Sequence, residues 1–175
     1  MTDIFEIKAA TAQDVPLILS FIKELADYEK LAHEVVATED ILKETLFGDQ
    51  AHAEVIIGYL NQAPVSFALY FHNFSTFLGR PGIYLEDLFV KPETRSKGIG
   101  QKMLAYLAFL AKSRKCGRLE WLVLDWNKAA IGFYRRLDAK AMDEWTIYRV
   151  TDQALNNLAA SLESNGADEV KENER

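Results

Sequence analysis

The sequence predicts an α/β fold: a mixed central sheet with helices on both faces. Three observations predict it. Strand-like and amphipathic helical segments alternate along most of the 175 residues, enough chain for one core. Two β-rich runs, AEVIIGYL and PVSFALYFHNF, are joined by only NQA and read as a hairpin. A strand, loop, helix and second strand then follow between residues 82 and 125, the order of a βαβ unit.

Each element has a local reason. Residues 4–9 read as a first strand. Thr11 stands where a helix cap belongs, and Asp14 follows at capping-box spacing. Pro16 suits a first turn, and Ile18, Ile22, Leu25 and Ala26 mark one helical face as far as Tyr28. A second helix starts near Thr38, runs through Ile41, Leu42 and Leu46, and stops at Gly48. After the hairpin, GIYLEDLFV (82–90) is another strand. A helix is predicted over 98–115, with Met103, Leu104, Leu107, Leu110 and Ala111 on one face. RLEWLVLD (118–125) reads as a buried strand, NKAAIGFYRRL as a short helix, EWTIYRV (144–150) as a last strand, and 151–162 as a last helix. The polar remainder is expected to be disordered, so the domain is drawn as 1–162 and the tail as 163–175.

Composition excludes several classes. A formal net charge of −6 argues against general nucleic-acid binding. The single cysteine, Cys116, rules out an intramolecular disulfide and reads as an incidental thiol. No CxxC or HExxH pair is present, and His33, His52 and His72 are scattered, so no metal is expected. His72 has no recognisable partner and reads as a strand-end residue. No apolar run nears membrane-spanning length and no export signal is visible. The expectation is a cytoplasmic protein with neither membrane nor nucleic acid as partner.

The stretch RSKGIGQKML (95–104) carries the chemistry. A helix N-terminus offers unpaired N–H groups and partial positive charge, and glycine lets an anion approach the backbone. Arg95 and Lys97 add charge. A plain strand-to-helix turn would use the same glycines, so context decides. A Walker A loop fails, because Gln101 follows Gly100 where lysine is required. A Rossmann fingerprint is weakened by Met103 at its third glycine and by the long loop after Val90, although Asp125 could mimic its acidic ribose ligand. The pattern [RQ]-x-x-G-x-[GA] is met at every fixed position by Arg95, Gly98 and Gly100.

With YLEDLFV before that motif, VLDWNKAAIGFYRRL after it and IKELADYEK near the N-terminus, the chain resembles the GNAT superfamily of N-acetyltransferases, and within it the spermidine/spermine (diamine) acetyltransferases. The resemblance runs over residues 4–150. It implies a GNAT-type, mostly antiparallel sheet, acetyl-CoA as co-substrate, a primary amine of a small polyamine, diamine or amino acid as acceptor, direct transfer in a ternary complex, and a homodimer.

It also implies residue roles. Backbone groups of Leu88, Phe89 and Val90 would line the acetyl-pantetheine arm. Arg95, Ser96, Lys97, Gly98, Ile99, Gly100 and Gln101 would wrap the pyrophosphate, and Asn127, Lys128, Ala129 and Ala130 would form the second segment touching the coenzyme. In the superfamily a splay beside the strand opens the slot for the arm, which the sequence itself does not show. Tyr134 falls where the diamine enzymes carry a tyrosine near the coenzyme sulfur, and a phenol can protonate a leaving thiolate. Phe133, its neighbour on the helix, is expected to take the core position. Glu86 is placed on the substrate side as a base, directly or through water, and strand alternation sends it and Asp87 to opposite faces. Tyr28, Glu29, Asp87, Glu120, Trp121, Leu122 and Glu144 (or Asp143) complete the acceptor side. Taken alone, each acid is a surface carboxylate; converging, they would suit a polycation.

Two departures bear on this. Asp138 stands where the family usually has glycine, a turn that aspartate tolerates better than most residues. YLNQAPVS and NFSTFLGRPG also differ, which leaves the amine open. A protein or peptide N-acetyltransferase, or a non-catalytic acyl-CoA sensor, are the alternatives.

Overall fold

The protein is described by a computed structural model covering residues 3–164. It divides into two compact units, one ending at Asp125 and one beginning at Trp126. The tail expected from 163 falls, from 165 onward, outside the described residues.

The first unit is a five-stranded sheet in the order β1-β2-β3-β4-β5: β1 Phe5–Ala9, β2 Glu54–Leu60, β3 Ala63–Ser75, β4 Arg80–Val90 and β5 Leu119–Trp121. The first four strands pair antiparallel and β5 joins β4 in parallel. The predicted hairpin is β2–β3, turned by Asn61 and Gln62 with φ of 50° and 69°. Positive φ at both central residues matches the twist of the flanking strands.

Helix α1 (Val15–Glu29) follows Thr11, whose N–H donates to Asp14 Oδ2 at 2.8 Å, the expected half of a capping box. Helix α2 (Glu39–Phe47) is capped by Thr38, whose Oγ1 accepts from the Ile41 N–H at 3.3 Å, and ends at Gly48. Both lie on one face of the sheet. Phe21 stacks on Phe67 at 5.3 Å and meets Phe89 edge-on at 6.2 Å, among Val15, Ile18, Leu19, Leu42, Leu46, Val55 and Ile57. Deleting one such ring costs about 3–5 kcal/mol. Helix α3 (Ile99–Ser113) buries Ile99, Met103, Leu104, Leu107 and Ala111 and packs against β3 and β4 from the other face, the layering the pattern predicts.

The feature that shapes the site is in β4. Leu69 pairs with Asp87 but Tyr70 pairs with Leu85, so Glu86 is an extra residue bulged out of the β3–β4 ladder. The bulge changes face parity. Asp87 shares Leu69's face, toward α1 and α2, whereas Leu85 shares Tyr70's face, toward α3. Leu85 and Asp87, two residues apart, thus fall on opposite faces, because the bulge inserts a residue that the two-residue period cannot count. Where the bulge begins, the parallel ladder ends: β5 pairs only Leu119, Glu120 and Trp121 with Ile83, Tyr84 and Leu85.

Two strand expectations are corrected. The strand drawn over 118–125 is three residues long and half-buried, because β4 offers it no ladder beyond Leu85. Leu122 is already 57% exposed. Residues 144–150 form no strand, since no described strand pairs with them, and Trp145, Ile147, Tyr148 and Val150 are exposed. The second unit holds α4 (Lys128–Arg135) and α5 (Asp152–Ser164).

Candidate functional site

On the first unit, the loop after β4 has the backbone geometry an anion cradle needs. Ser96 and Gly98 both have left-handed backbone, with φ of 64° and 74°. Such turns gather main-chain N–H groups to one side. Nothing lies within 4 Å of where a Gly98 Cβ would stand, so the approach is open. The first hydrogen bond of α3 runs from the Lys102 N–H to the Gly98 carbonyl at 3.1 Å. The N–H groups of Ile99, Gly100 and Gln101 therefore precede any intrahelical acceptor and face the helix's positive end. Lys97 lies 3.6 Å from Asp3, half-exposed.

Arg95 joins this loop to the end of α1. Its Nε donates to the Val90 carbonyl at 2.9 Å, and its guanidinium lies 4.5 Å above the Tyr28 ring and 5.8 Å from Phe89. Tyr28 is there because α1 stops one residue later. Left-handed Lys30 closes a Schellman turn, with Leu31 N–H on Ala26 O at 2.8 Å and Lys30 N–H on Asp27 O at 3.1 Å. That turn leaves Tyr28 and Glu29 at the helix end. Sequence reading named Tyr28 and Arg95 separately and had no signal that they touch.

Three carboxylates gather beside the bulge. Burial first, and then the negative charges of Glu86 and Glu29, push Asp87 up to about 6 from an ordinary 3.8. Asp87 keeps a partial opening to solvent, but protein crowds most of its surroundings. Burial also raises Glu29. No described cation forms an ion pair with any of the three. Three acids held together without a counter-charge favour whatever cation arrives.

The rest of the predicted acceptor set is divided. Glu120 pairs with Tyr84 in register, on the face that carries Asp87, and Tyr84 meets the Phe71 ring at 5.1 Å. Its carboxylate is already engaged. Asn73 Nδ2 donates to Oε2 at 2.8 Å, and Arg118 Nε stands 2.8 Å from the same oxygen, an ion pair whose N–H is not aimed for a hydrogen bond. Trp121 closes the β5 ladder and Leu122 follows it into the open. The backbone of residues 86–90 has no β5 partner, and this is the splay the sequence could not show. Leu88 and Phe89 keep their β3 pairing, while the Val90 carbonyl is taken by Arg95.

Within the second unit, Asn127 caps α4, its Oδ1 accepting from the Ala130 N–H at 3.2 Å across Lys128 and Ala129. The Phe133 and Tyr134 rings touch at 5.4 Å and both are half-buried, so Phe133 is no more a core residue than Tyr134. Neither is driven inward, because α4 has no fully buried residue. Asp138 takes φ 59°, with Ala139 N–H on Tyr134 O at 3.2 Å, so aspartate does make the turn expected of glycine. Glu144, like Asp143, is exposed and lies in no helix or strand.

Comparison with known proteins follows the same lines. The sequence profile described as the acetyltransferase (GNAT) family matches residues 20–139. A thialysine N-epsilon-acetyltransferase of Bos taurus is 37% identical over 164 residues, covering 87% of this chain and 96% of that one. An L-ornithine N5-acetyltransferase of Arabidopsis thaliana is 31% identical over 197 residues, covering 87% and 86%. Among solved structures, an integron cassette protein from V. cholerae superposes with a TM-score of 0.74 at 30% identity, over 89% of this chain and 97% of that one.

The uncompensated acids make a signed prediction. A carboxyl whose folded pKa is raised from 3.8 to about 6 loses stability for the fold as pH rises through that window. Asp87→Asn removes that loss. Its Tm should equal wild type near pH 4, rise above it by a few degrees as pH passes 6, and then hold. Thermal melts giving the same gap at every pH would contradict the burial of this charge.

Proposed function

The chain belongs to the acetyltransferase (GNAT) family and is an N-acetyltransferase; on that premise we propose that it acetylates a primary amine on a small diamine, polyamine or diamino acid. The observation that carries this reading is the unpaired group Glu29, Glu86 and Asp87 beside the bulge of β4. A monoamine brings one charge to three acids, whereas a second cationic amine can occupy what the first leaves. The named activities of the bovine and Arabidopsis relatives, on thialysine and ornithine, support the same substrate class. Protein termini and peptide lysines are the second reading within the family, and a non-catalytic acyl-CoA sensor lies outside it.

Acetyl-CoA supplies the thioester. Arg95, Ser96, Lys97, Gly98, Ile99, Gly100 and Gln101 would hold its pyrophosphate, and the backbone of Leu88, Phe89 and Val90 would line the arm, with Asn127, Lys128, Ala129 and Ala130 as the second segment. Glu86 takes the proton the amine must lose, directly or through water. Tyr134 gives a proton to the departing sulfur. Tyr28, Glu29, Asp87 and Glu144 orient the cation. Glu120, Trp121 and Leu122 form the wall, with Glu120 fixed by Arg118 and Asn73. We further propose one catalytic domain over residues 1–162 and a cytoplasmic setting, where acetyl-CoA is at hand. No described helix is long and apolar enough to cross a membrane.

A homodimer is part of this reading. Residues 144–150 have strand chemistry yet stand exposed in a single chain, and a second copy would give them a covered surface. Light scattering should then give twice the chain mass, and Ile147→Asp should lower it; monomeric wild type removes the proposal.

The amine is tested with purified protein, acetyl-CoA and a panel of diamines, diamino acids, monoamines and peptides, following thiol release. Diamines or diamino acids should show the highest kcat/KM. Preference for peptides would move the reading to protein acetylation, and coenzyme binding without turnover to the sensor. Tyr134→Phe should lower kcat by about 10²-fold or more while leaving acetyl-CoA affinity near wild type; unchanged kcat removes it as the acid.

A further inference from the structure

The connection from β4 to α3 carries the glycines and also grips α1 at successive turns. Lys91 Nζ lies 3.4 Å from Glu24 Oε1 and 5.5 Å from the centre of the Phe21 ring. Further along the loop, the Arg95 guanidinium lies 4.5 Å from the centre of the Tyr28 ring. Glu24 and Tyr28 are about one helical turn apart and so share a face of α1. The loop that holds them is itself fixed. The Lys91 N–H donates to the Val65 carbonyl at 2.9 Å, which ties the loop to β3. Pro92 opens a tight turn that closes on Thr94, whose N–H and Oγ1 both donate to the Lys91 carbonyl, at 2.9 and 3.0 Å. Thr94 is buried, so Arg95 leaves this turn from a rigid base.

Arg95 is then held at its inner nitrogen. Its Nε donates to the Val90 carbonyl at 2.9 Å, which turns the guanidinium back toward β4 and the end of α1. There it stands over Tyr28 and within 5.8 Å of the Phe89 ring. Phe89 lies on the face of β4 that carries Asp87, since their partners in register are Phe67 and Leu69. The end of α1 needs such a contact. Tyr28 and Glu29 are the last residues before left-handed Lys30, and helix ends fray. Glu29 is close enough to Asp87 for its charge to be felt there. A shift of the last turn of α1 therefore moves both Tyr28 and that carboxylate.

We propose that Arg95 is a positioning residue for the amine: by stacking on Tyr28 it fixes the last turn of α1, and with it Tyr28 and Glu29, against the donor loop. This rests on the reading of Tyr28 and Glu29 as acceptor residues. It gives a residue of the coenzyme loop a task on the amine side, so that the loop that holds the donor also sets where the acceptor is met.

The test is a double-mutant cycle on the full chain, with the diamine KM read at saturating acetyl-CoA. Arg95→Ala removes the guanidinium, Tyr28→Leu removes the ring and keeps apolar bulk, and a third variant carries both. Arg95→Ala should raise the diamine KM about fivefold, the scale of one cation–π contact, and leave kcat within about twofold of wild type. Tyr28→Leu should raise the same KM at least as much. The double variant should raise it no further than Tyr28→Leu does, because Arg95 acts only through that ring. Should Arg95→Ala not fold, Arg95→Gln takes its place: its amide nitrogen stands where Nε stood, so the bond to Val90 survives and the fork over the ring is lost. If the two effects multiply in the double variant, or if the Arg95 change moves only kcat or the acetyl-CoA Kd, the positioning role is overturned and the acceptor reading stands. An unchanged KM in Tyr28→Leu overturns the acceptor reading of Tyr28 as well.

Discussion

One extra residue in β4 sets the geometry on which the proposed site depends. With Glu86 inserted between Leu85 and Asp87, β4 keeps its antiparallel partner β3 through a register shift, and its parallel partner β5 pairs only as far as Leu85. A bulge bends its strand and raises the local twist, and a parallel neighbour does not follow that bend. The result is a run of five residues, 86–90, with no β5 partner, its Val90 carbonyl taken by Arg95. An extended chain with open amide groups is what a coenzyme arm can lie along, and it exists because the ladder was interrupted there.

The bulge also sorts charge. Before it, the face toward α1 carries Tyr84 and Phe71; after it, that face carries Asp87 and Phe89. Asp87 arrives there beside Glu29, delivered by the Schellman turn at the end of α1. The phosphate loop, by contrast, gathers positive character from Arg95, the left-handed turns and the start of α3. Arg95, lying on Tyr28, is one physical contact between the two regions. The proposed donor and acceptor sides thus have opposite electrostatic signs within one unit, as suits an anionic coenzyme and a cationic amine.

The donor side was the more legible in sequence because it is local. Arg95, Gly98 and Gly100 lie within six consecutive residues, and their backbone needs are visible in the residue types. The hairpin turn, the Thr38 cap and the Gly48 stop were legible for the same reason. Asp138 was legible even as a departure, since its tolerance of left-handed backbone is an intrinsic property. The acceptor side was named residue by residue only through resemblance, and its organisation stayed hidden. That Glu120 is held by Asn73 and Arg118 depends on a partner 47 residues away in the chain. The stacking of Arg95 on Tyr28 likewise joins residues far apart in the chain and has no pattern of its own.

The strand that sequence placed at 144–150 shows the limit from the other direction. Its residues have β propensity, but propensity does not supply a partner, and a strand exists only as part of a ladder. The sequence by itself determined most element types, the two-faced layering and the glycine-containing loop before α3, because periodicity, caps and glycine positions act over a few residues. Only the tertiary structure decided that Glu86 is the inserted residue, that Asp87 feels the charge of Glu29 and that β5 lets go at Trp121. Those are facts of register, and register is settled by side chains packing across strands far apart in the chain.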